Sequence, residues 1–287
     1  MSRATLLTIA LLAAGPALSD TAPVGNRVEV NGMQMYYEVS GQGDPLVVLH
    51  GAYMNIPSMG AIIPKLAETH KVYALEFQGH GRTTDLDRPI TYPGLADDVA
   101  VFMEAVNLPK ADVFGYSMGA TAGLQLAIRH PEKVDQLIAA SVAYDAEGWQ
   151  PAFRDFIPMM TVEMFTDMPF AEDYKTLAAD PEGFPALVEK LIALEKEPME
   201  WEAEVKALKA PVLIITGDAD VATLEHSVAM FRLLGGGDMG DMGAPLPASR
   251  LAVLPATSHT AVIGQVDLLA ALIEGFLKGE TPKGMFQ

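Results

Sequence analysis

Residues 111–123, ADVFGYSMGATAG, contain the pattern that decides the fold. The first six of these residues are mostly apolar and predict a buried strand, whereas the chain from Met118 onward predicts a helix. Between the two lies Gly-x-Ser-x-Gly, with Ser117 at its centre. A sharp turn from strand to helix holds the central residue in a strained backbone conformation and exposes its side chain. The pattern therefore predicts that Ser117 is a nucleophile.

Apolar runs alternate with helix-like segments on both sides of this turn. The runs that predict buried strands are residues 45–50, 72–77, 111–116, 134–142, 211–216 and 250–254. Two extended runs, residues 27–30 and 33–39, precede them and are joined by Asn31-Gly32, a strong hairpin signal. Strands that alternate with helices predict an α/β fold, here a doubly wound sheet with a leading antiparallel hairpin.

Residues 145–207 have a different composition. They are rich in Met, Glu, Pro and aromatic residues and contain no buried-strand run. We expect several short helices, inserted after the sixth strand and lying over the carboxyl edge of the sheet. The predicted organisation is a signal peptide at residues 1–19, a core formed by residues 20–144 and 208–287, and a helical cap at residues 145–207.

The first nineteen residues have the layout of a secretory signal peptide. Arg3 precedes a mostly apolar run, and the small residues Ala17 and Ser19 stand before the expected cleavage site. We therefore expect an exported protein, periplasmic or extracellular. Later segments are shorter than the roughly 18 consecutive apolar residues of a membrane span, so stable membrane insertion is not expected.

The composition excludes several classes of function. Hydrophobic residues make up 50% of the 287 residues, which is enough for a packed core, and the net charge of −18 disfavours nucleic acid as a partner. The chain has no cysteine, so a covalent nucleophile must be an oxygen or a nitrogen.

Asp238 and Asp241 lie in a Gly-rich loop that lacks the pattern of a calcium-binding hand. Neither a metal nor a cofactor is predicted.

Five ordered segments carry a resemblance to a known family. They are PLVVLHGAYMN, FQGHGRTT, VFGYSMGATAG, PVLIITGDAD and LPATSHT. With them the chain resembles the α/β-hydrolase superfamily from about residue 26 to residue 277. The resemblance implies a sheet of eight strands with the second antiparallel, and a helical cap after the sixth strand. Both agree with the pattern of runs described above.

A serine hydroxyl needs a base that takes its proton. Of the six histidines, the resemblance assigns this role to His259, which follows the last predicted strand and satisfies the order serine, acid, histidine. By the same resemblance the acid is Asp220, three residues after Gly217. Asp218 is the alternative and is otherwise expected to shape the turn. His226, on the helix after the seventh strand, is expected at the surface.

The oxyanion hole and the substrate pocket complete the predicted site. One oxyanion donor is the backbone N–H of Met118, directly after the nucleophile. The resemblance implies Ala52 as the second donor, with Tyr53 as the alternative. The predicted pocket residues, drawn from Tyr53 and the aromatic and methionine side chains of the cap, are Tyr53, Phe153, Phe156, Met160 and Met164.

These residues predict a reaction class. Members of the superfamily that open epoxides or remove halides carry aspartate at the centre of this strand-to-helix turn, which we call the elbow. Ser117 therefore argues against both activities. We expect hydrolysis of a small-to-medium, neutral, largely apolar carboxylic ester through an acyl-enzyme, with the ester as a small-molecule partner. Carbon–carbon bond hydrolysis, perhydrolysis and a non-catalytic binding protein stay open, as does the oligomeric state. A prolyl-aminopeptidase-like activity also stays open, because glutamates in the cap are available to hold an amine: Glu195, Glu197, Glu200, Glu202 and Glu204.

Overall fold

A mixed sheet of eight strands forms the centre of the protein in the computed structural model, which describes residues 24–242 and 246–281. The strands are β1 (Val24–Val30), β2 (Met33–Ser40), β3 (Pro45–Leu49), β4 (Lys71–Leu75), β5 (Ala111–Tyr116), β6 (Val134–Ala140), β7 (Val212–Ala219) and β8 (Arg250–Ser258). Their order is β1-β2-β4-β3-β5-β6-β7-β8. β2 is antiparallel to both of its neighbours, and the pairs from β4 to β8 are parallel. The predicted fold class, with its mostly parallel eight-stranded sheet, is confirmed.

The turn between β1 and β2 is the predicted hairpin. Asn31 and Gly32 have φ angles of 48° and 91°, both in the left-handed region. A two-residue turn with positive φ at both positions matches the right-handed twist of the flanking strands. Val30 and Met33 are paired on either side of it, so these two residues set the register of the hairpin.

Helices cover both faces of the sheet. In the described residues the α-helices are α1 (Ile62–Leu66), α2 (Tyr92–Ala105), α3 (Met118–Arg129), α4 (Pro151–Phe156), α5 (Pro169–Leu177), α6 (Phe184–Glu195), α7 (Glu202–Lys206), α8 (Leu224–Leu233) and α9 (Val266–Leu277). Buried side chains of α1 and α9 form one apolar cluster with the sheet, and those of α2, α3 and α8 form another. The sheet is therefore enclosed between two layers of helices.

Strand β3 shows why the sequence of a central strand is apolar at every position. Leu46 and Val48 belong to the cluster of α1 and α9, whereas Val47 and Leu49 belong to the cluster of α2 and α3. Successive side chains of a strand point to opposite faces, and here both faces are covered by helices. The run therefore lacks the polar residue at alternate positions that marks a half-exposed strand.

The segment between β6 and β7 is helical. Residues 145–207 contain α4 to α7 and several short 3-10 turns, and no strand occurs within this fully described range. Two isolated bridges occur near its ends: one joins Asp145 to Glu200 within the segment, and the other joins Trp149 to Ala222, which follows β7. Apolar side chains of α6 are buried in the same cluster as those of α2 and α3. We call residues 145–207 the cap.

The predicted signal peptide, residues 1–19, lies outside the described residues, so export of the protein stays a prediction. The described helices are too short and too polar to cross a bilayer. The 14 residues of α2, for example, span about 21 Å, compared with a hydrocarbon core of about 30 Å.

The position of His226 differs from the expectation. The sequence placed this residue at the surface of α8, but its side chain is buried and its ring stacks on that of Tyr144, with centroids 4.2 Å apart. The Nε2 atom of His226 accepts a hydrogen bond from the backbone N–H of Tyr144 at 3.1 Å. Burial lowers the pKa of His226 to about 4, which keeps the ring neutral and able to accept this bond. Gly148 makes the room, because a Cβ atom there would lie 2.4 Å from the imidazole.

Candidate active site

Ser117 stands at the turn between β5 and α3 with φ 55° and ψ −120°, a strained conformation for a residue with a side chain. Glycines on both sides allow the turn. A Cβ atom on Gly119 would lie 2.3 Å from the carbonyl oxygen of Leu49, and one on Gly115 would lie 2.3 Å from the carbonyl oxygen of Gly119. The backbone N–H of Ser117 donates to the carbonyl of Ala140 at 2.8 Å. Helix, strand and turn therefore hold the serine at the carboxyl edge of the sheet.

Two further side chains from the same edge meet this serine. His259 follows β8, and its Nε2 atom lies 3.0 Å from Ser117 Oγ. Asp220 follows β7, and its Oδ1 atom lies 2.7 Å from His259 Nδ1. The structure thus brings together the three residues that the sequence assigned to catalysis. Their contacts form a continuous chain from hydroxyl to imidazole to carboxylate, which can move a proton away from the serine.

The carboxylate of Asp220 is buried and held by several donors. The hydroxyl of Ser141 donates to Oδ2 at 2.6 Å, and the backbone N–H of Gly217 donates to the same oxygen at 3.1 Å. Burial alone would raise the pKa of Asp220, but the bonds from His259, Ser141 and Gly217 hold the pKa below its ordinary value. The group therefore stays ionised at neutral pH, as a partner of an imidazolium must.

Ser141 is a contributor that the sequence analysis missed. It follows β6, is fully buried, and has a φ of 60°. Its backbone N–H donates to the carbonyl of Ile215 at 2.8 Å, which aims its hydroxyl at Asp220. The sequence around Ser141 does not indicate that it bonds to Asp220, because the two residues are 79 positions apart.

Asp218 occupies a different place. Its carboxylate accepts hydrogen bonds from the backbone N–H groups of Ala256 and Thr257, at 2.8 and 2.9 Å. These two bonds lower the pKa of Asp218. Ala256 has a φ of 52°, so Asp218 stabilises a strained segment just before His259. Of the two competing aspartates, only Asp220 contacts the histidine, and Asp218 braces the neighbouring turn.

The predicted oxyanion donors come from two segments, the start of α3 and the loop after β3. Met118 is the first residue of α3, so its backbone N–H has no partner within the helix. Ala52 and Tyr53 lie in the loop after β3, where Tyr53 has a φ of 63°. His50 orders this loop: its Nε2 atom accepts from the N–H of Phe77 at 3.1 Å, and its Nδ1 atom lies 2.8 Å from the carbonyl of Gly51. Burial lowers the pKa of His50 to about 4, in keeping with a structural role for a neutral ring.

The five predicted pocket residues fall into two groups. Tyr53, Met160 and Phe153 belong to the large apolar cluster or pack against it. Phe156 and Met164 differ from the expectation, since they are 38% and 47% exposed and lie outside that cluster. Both residues lie in short helical segments of the cap, and composition alone does not tell which side of a single helical turn faces inward.

Aromatic rings of the cap lie against the loop after β3. Tyr53 stacks on Phe165 and on Phe170, with ring centroids 4.8 and 5.1 Å apart. Tyr53 is one of the predicted pocket residues, whereas the two phenylalanines are not. A strained residue next to a predicted oxyanion donor is thereby held by two side chains of the cap.

Glu195, the last residue of α6, brings a charge to the same region. Its side chain is half-buried, and burial raises its pKa to about 7, while interaction with His259 lowers it. Its charge also acts on the hydroxyl groups of Tyr53 and Tyr92.

Within the described residues, groups of three or more side chains suited to a metal ion do not occur.

The fold and these contacts define a class of protein: a hydrolase built on a doubly wound α/β sheet, with serine, histidine and aspartate side chains joined at its carboxyl edge. Residues 44–185 match the family described as alpha/beta hydrolase fold. The chain belongs to the α/β-hydrolase superfamily and is an enzyme, as the sequence analysis predicted.

Individual relatives carry several hydrolase names. The chain is 26% identical over 261 residues to a pimeloyl-[acyl-carrier protein] methyl ester esterase of Aliivibrio salmonicida, covering 86% of this chain and 97% of that protein. It is 25% identical over 237 residues to a 2-hydroxymuconate semialdehyde hydrolase of a Pseudomonas species, covering 75% and 84%. A solved structure, the meta-cleavage product hydrolase of Pseudomonas fluorescens, superposes with a TM-score of 0.69 at 19% identity, covering 90% and 99%. The similarity to this solved structure shows that the two proteins share a fold.

Proposed function

We propose that the protein hydrolyses a carboxylic ester through a covalent acyl-enzyme on Ser117. The observation that carries the proposal is the continuous hydrogen-bonded chain from Ser117 through His259 to Asp220. Similarity to a protein named as a methyl ester esterase supports ester hydrolysis as the chemistry of the family. The proposed catalytic residues are therefore Ser117 as nucleophile, His259 as base and Asp220 as acid.

In the first half of the reaction, His259 Nε2 takes the proton of Ser117 Oγ while the oxygen attacks the ester carbonyl. The negative charge that develops on the carbonyl oxygen is stabilised by the backbone N–H groups of Met118 and Ala52. Asp220 holds the imidazole ring in the required tautomer and stabilises its charged form. The tetrahedral intermediate then collapses, and His259 gives its proton to the departing alcohol, which leaves an acyl group on Ser117.

In the second half, a water molecule takes the place of the alcohol. His259 removes a proton from this water as it attacks the acyl carbonyl, and the same oxyanion donors stabilise the second tetrahedral intermediate. When the intermediate collapses, His259 returns the proton to Ser117 Oγ. The carboxylic acid is released, and the serine, histidine and aspartate regain their starting protonation states.

The apolar side chains of the cap support a largely apolar substrate of small to medium size. Met160 is buried in the apolar cluster of the core, and Phe165 and Phe170 present their rings to Tyr53. Apolar and aromatic walls with a few polar groups are typical of sites for small molecules. The net charge of −18 disfavours strongly anionic substrates, so neutral esters are expected over charged carboxylates.

The test is hydrolysis of p-nitrophenyl esters of increasing acyl length by the wild type and by Ser117→Ala. We expect activity on the short esters, and a loss of roughly 10⁴-fold or more in kcat for the variant. Ser227→Ala is a matched control, because this buried serine of α8 bonds only to the carbonyl of Thr223, at 3.3 Å. Retention of most activity by Ser117→Ala would overturn the role of this serine.

A second candidate is hydrolysis of a carbon–carbon bond next to a ketone. The supporting observation is the similarity to a 2-hydroxymuconate semialdehyde hydrolase over 75% of the chain. Against it stands Glu195, because a carboxylate near His259 repels a substrate that is itself a carboxylate. Assay of wild type with that semialdehyde and with p-nitrophenyl butyrate separates the two candidates by their kcat/KM values.

Export of the protein is part of the proposal. Support comes from the layout of residues 1–19, in which Arg3 precedes an apolar run and a small-residue cleavage site. The intact mass of the protein isolated from an expressing bacterium should correspond to a chain that begins at Asp20. A mass that includes Met1 would contradict cleavage.

A further inference from the structure

Glu195 has no cationic partner within the described part of the chain. The ion pairs there do not include it, although its carboxyl group is half-buried at the end of α6. Interaction with His259 lowers the pKa of Glu195, and the charge of Glu195 in turn raises the pKa of Tyr53 and of Tyr92. A carboxylate that is partly removed from water without a fixed cation is costly unless something else supplies the positive charge.

The hydroxyl group of Tyr53 is a second polar group without a partner. It is buried and forms no hydrogen bond with any described residue. Burial raises the pKa of Tyr53, and the charge of Glu195 raises it further, so the two groups interact electrostatically. Buried hydroxyl groups are normally hydrogen-bonded, and an orphan of this kind points to a ligand.

Aromatic rings lie against Tyr53 and Tyr92, the two tyrosines on which the charge of Glu195 acts. The ring of Tyr53 is stacked with Phe165 and Phe170, and Tyr92 meets Trp201 edge to face at a centroid distance of 5.9 Å. The faces of such rings attract cations, and attraction is strongest where water is excluded. An organic ammonium ion is recognised by a set of groups of this kind: one carboxylate, one free hydroxyl and several aromatic rings.

We infer that Glu195 and Tyr53 form a subsite for an ammonium group of the substrate, so that the preferred esters carry a protonated amine. The inference rests on the proposed function, because it concerns the substrate of the same site. It replaces the neutral ester expected above with an ester that carries a positive charge. Glu195 accepts hydrogen bonds from the ammonium group, Tyr53 accepts another, and the rings provide the remaining contact.

The pH dependence of this subsite follows from the groups that face Glu195. Burial raises the pKa of Glu195 to about 7, and His259 lowers it. Tyr53 and Tyr92 stay neutral, because burial and the charge of Glu195 raise the pKa of both, and Glu197 adds to the effect on Tyr92. The carboxyl group is therefore ionised above about pH 7, and ammonium binding strengthens as the pH rises through that value.

The experiment compares hexylammonium, which stays charged through this range, with the uncharged 1-hexanol of similar size. Both are used as competitors of p-nitrophenyl butyrate hydrolysis and as protectors of Ser117 against a fluorophosphonate probe. The second measurement does not require the protein to hydrolyse any ester. The variants are Glu195→Gln and, as a matched control on the exposed side of α6, Glu189→Gln.

At about pH 8 we expect the wild type to bind hexylammonium about 10-fold more tightly than 1-hexanol, the factor that one charge-assisted hydrogen bond supplies. The preference should disappear in Glu195→Gln, stay in Glu189→Gln, and weaken at about pH 6 in the wild type. Equal binding of the two competitors, or a preference that survives in Glu195→Gln, would overturn the subsite.

Failure of the ester function gives a different result. In that case p-nitrophenyl butyrate is not hydrolysed by the wild type, whereas protection of Ser117 by hexylammonium still depends on Glu195. Conversely, rapid hydrolysis of the butyrate with no difference between hexylammonium and 1-hexanol would leave the ester function standing and remove the subsite.

Discussion

The hydroxyl group of Tyr116 donates a hydrogen bond to the backbone carbonyl of His259, over 2.8 Å. The two rings also stack, with centroids 5.3 Å apart and an angle of 30° between their planes. Tyr116 is the residue before Ser117, so one side chain of the elbow fixes the backbone and the ring of the histidine that contacts the elbow serine. Tyr116 is a positioning residue and does not touch the reacting atoms.

This contact predicts the effect of Tyr116→Phe. The substitution keeps the ring but removes the bond that holds the histidine segment, so we expect kcat to fall about 10-fold, because small misplacements of a catalytic group are costly. KM should change little, since the substrate walls stay in place. Steady-state kinetics with p-nitrophenyl butyrate measures both values. Tyr73→Phe, on β4, is the control, and an equal loss of kcat in that variant would contradict a positioning role.

The two aspartates after β7 predict opposite phenotypes. Asp220→Asn removes the charge that orients His259, and we expect kcat to fall by roughly 10⁴-fold while the fold is retained. Asp218→Asn weakens the bonds to Ala256 and Thr257, so we expect a lower Tm but most of the activity. Kinetics and thermal unfolding of both variants check the assignment. A larger loss of kcat in Asp218→Asn than in Asp220→Asn would reverse it.

The bond from Ser141 to Asp220 predicts a pH-dependent loss of stability. Because the folded pKa of Asp220 is lowered, its contribution to stability is complete above the ordinary aspartate pKa of about 3.9 and is lost as the pH falls through the folded value. Ser141→Ala removes one of the bonds that lower the pKa, so the variant should lose about 1–3 kcal/mol of unfolding free energy at neutral pH.

Urea denaturation between about pH 3 and pH 7 measures this effect. The difference between wild type and Ser141→Ala should shrink below about pH 4, where Asp220 becomes protonated in the unfolded chain. Ser227→Ala is the control, because its hydroxyl bonds to a carbonyl and no carboxylate is involved, so its loss should not depend on pH. A constant difference for Ser141→Ala would contradict the role of the bond.

The close contact at the elbow predicts that Gly119 tolerates no side chain. A Cβ atom there would lie 2.3 Å from the carbonyl oxygen of Leu49 and 2.6 Å from that of His50, both parts of the backbone at the end of β3. We expect Gly119→Ala to lower the unfolding free energy by about 2–3 kcal/mol or to prevent folding. Gly264→Ala is the control, since a Cβ atom there meets nothing within 4 Å. Equal denaturation midpoints of the two variants would contradict the packing argument.

The fold was predictable because its signals are local. Asn31-Gly32 demands a tight turn whatever the rest of the chain does, and β3 is apolar throughout because both of its faces are covered. The elbow combines a steric requirement at Gly115 and Gly119 with a strand before it and a helix after it. The ends of β7 and β8 were less predictable: both extend beyond their apolar runs, because Asp218 ties the two segments together through Ala256 and Thr257.

The contacts among Ser117, His259 and Asp220 were predictable from chain order and resemblance, whereas the groups that support them depend on contacts between distant residues. Ser141 reaches Asp220 only after β6 and β7 are paired. Tyr53 adopts a positive φ that its residue type disfavours, so no propensity indicates its stack with the cap. The exposure of Phe156 likewise depends on how one short helix is rotated.

The cap is one uninterrupted stretch of chain. Ser117 lies before it, and Asp220 and His259 lie after it, so none of the three proposed catalytic side chains is encoded within residues 145–207. Recombination at two points would exchange the whole segment while leaving the chemical machinery intact. Selectivity and reactivity are therefore encoded in separate segments of the chain, which meet where Tyr53 stacks on Phe165 and Phe170 and where α6 packs into the core cluster. If the contacts of Tyr53 with Phe165 and Phe170 are kept, the rest of the cap can change to accept new substrates while the proposed catalytic residues stay the same.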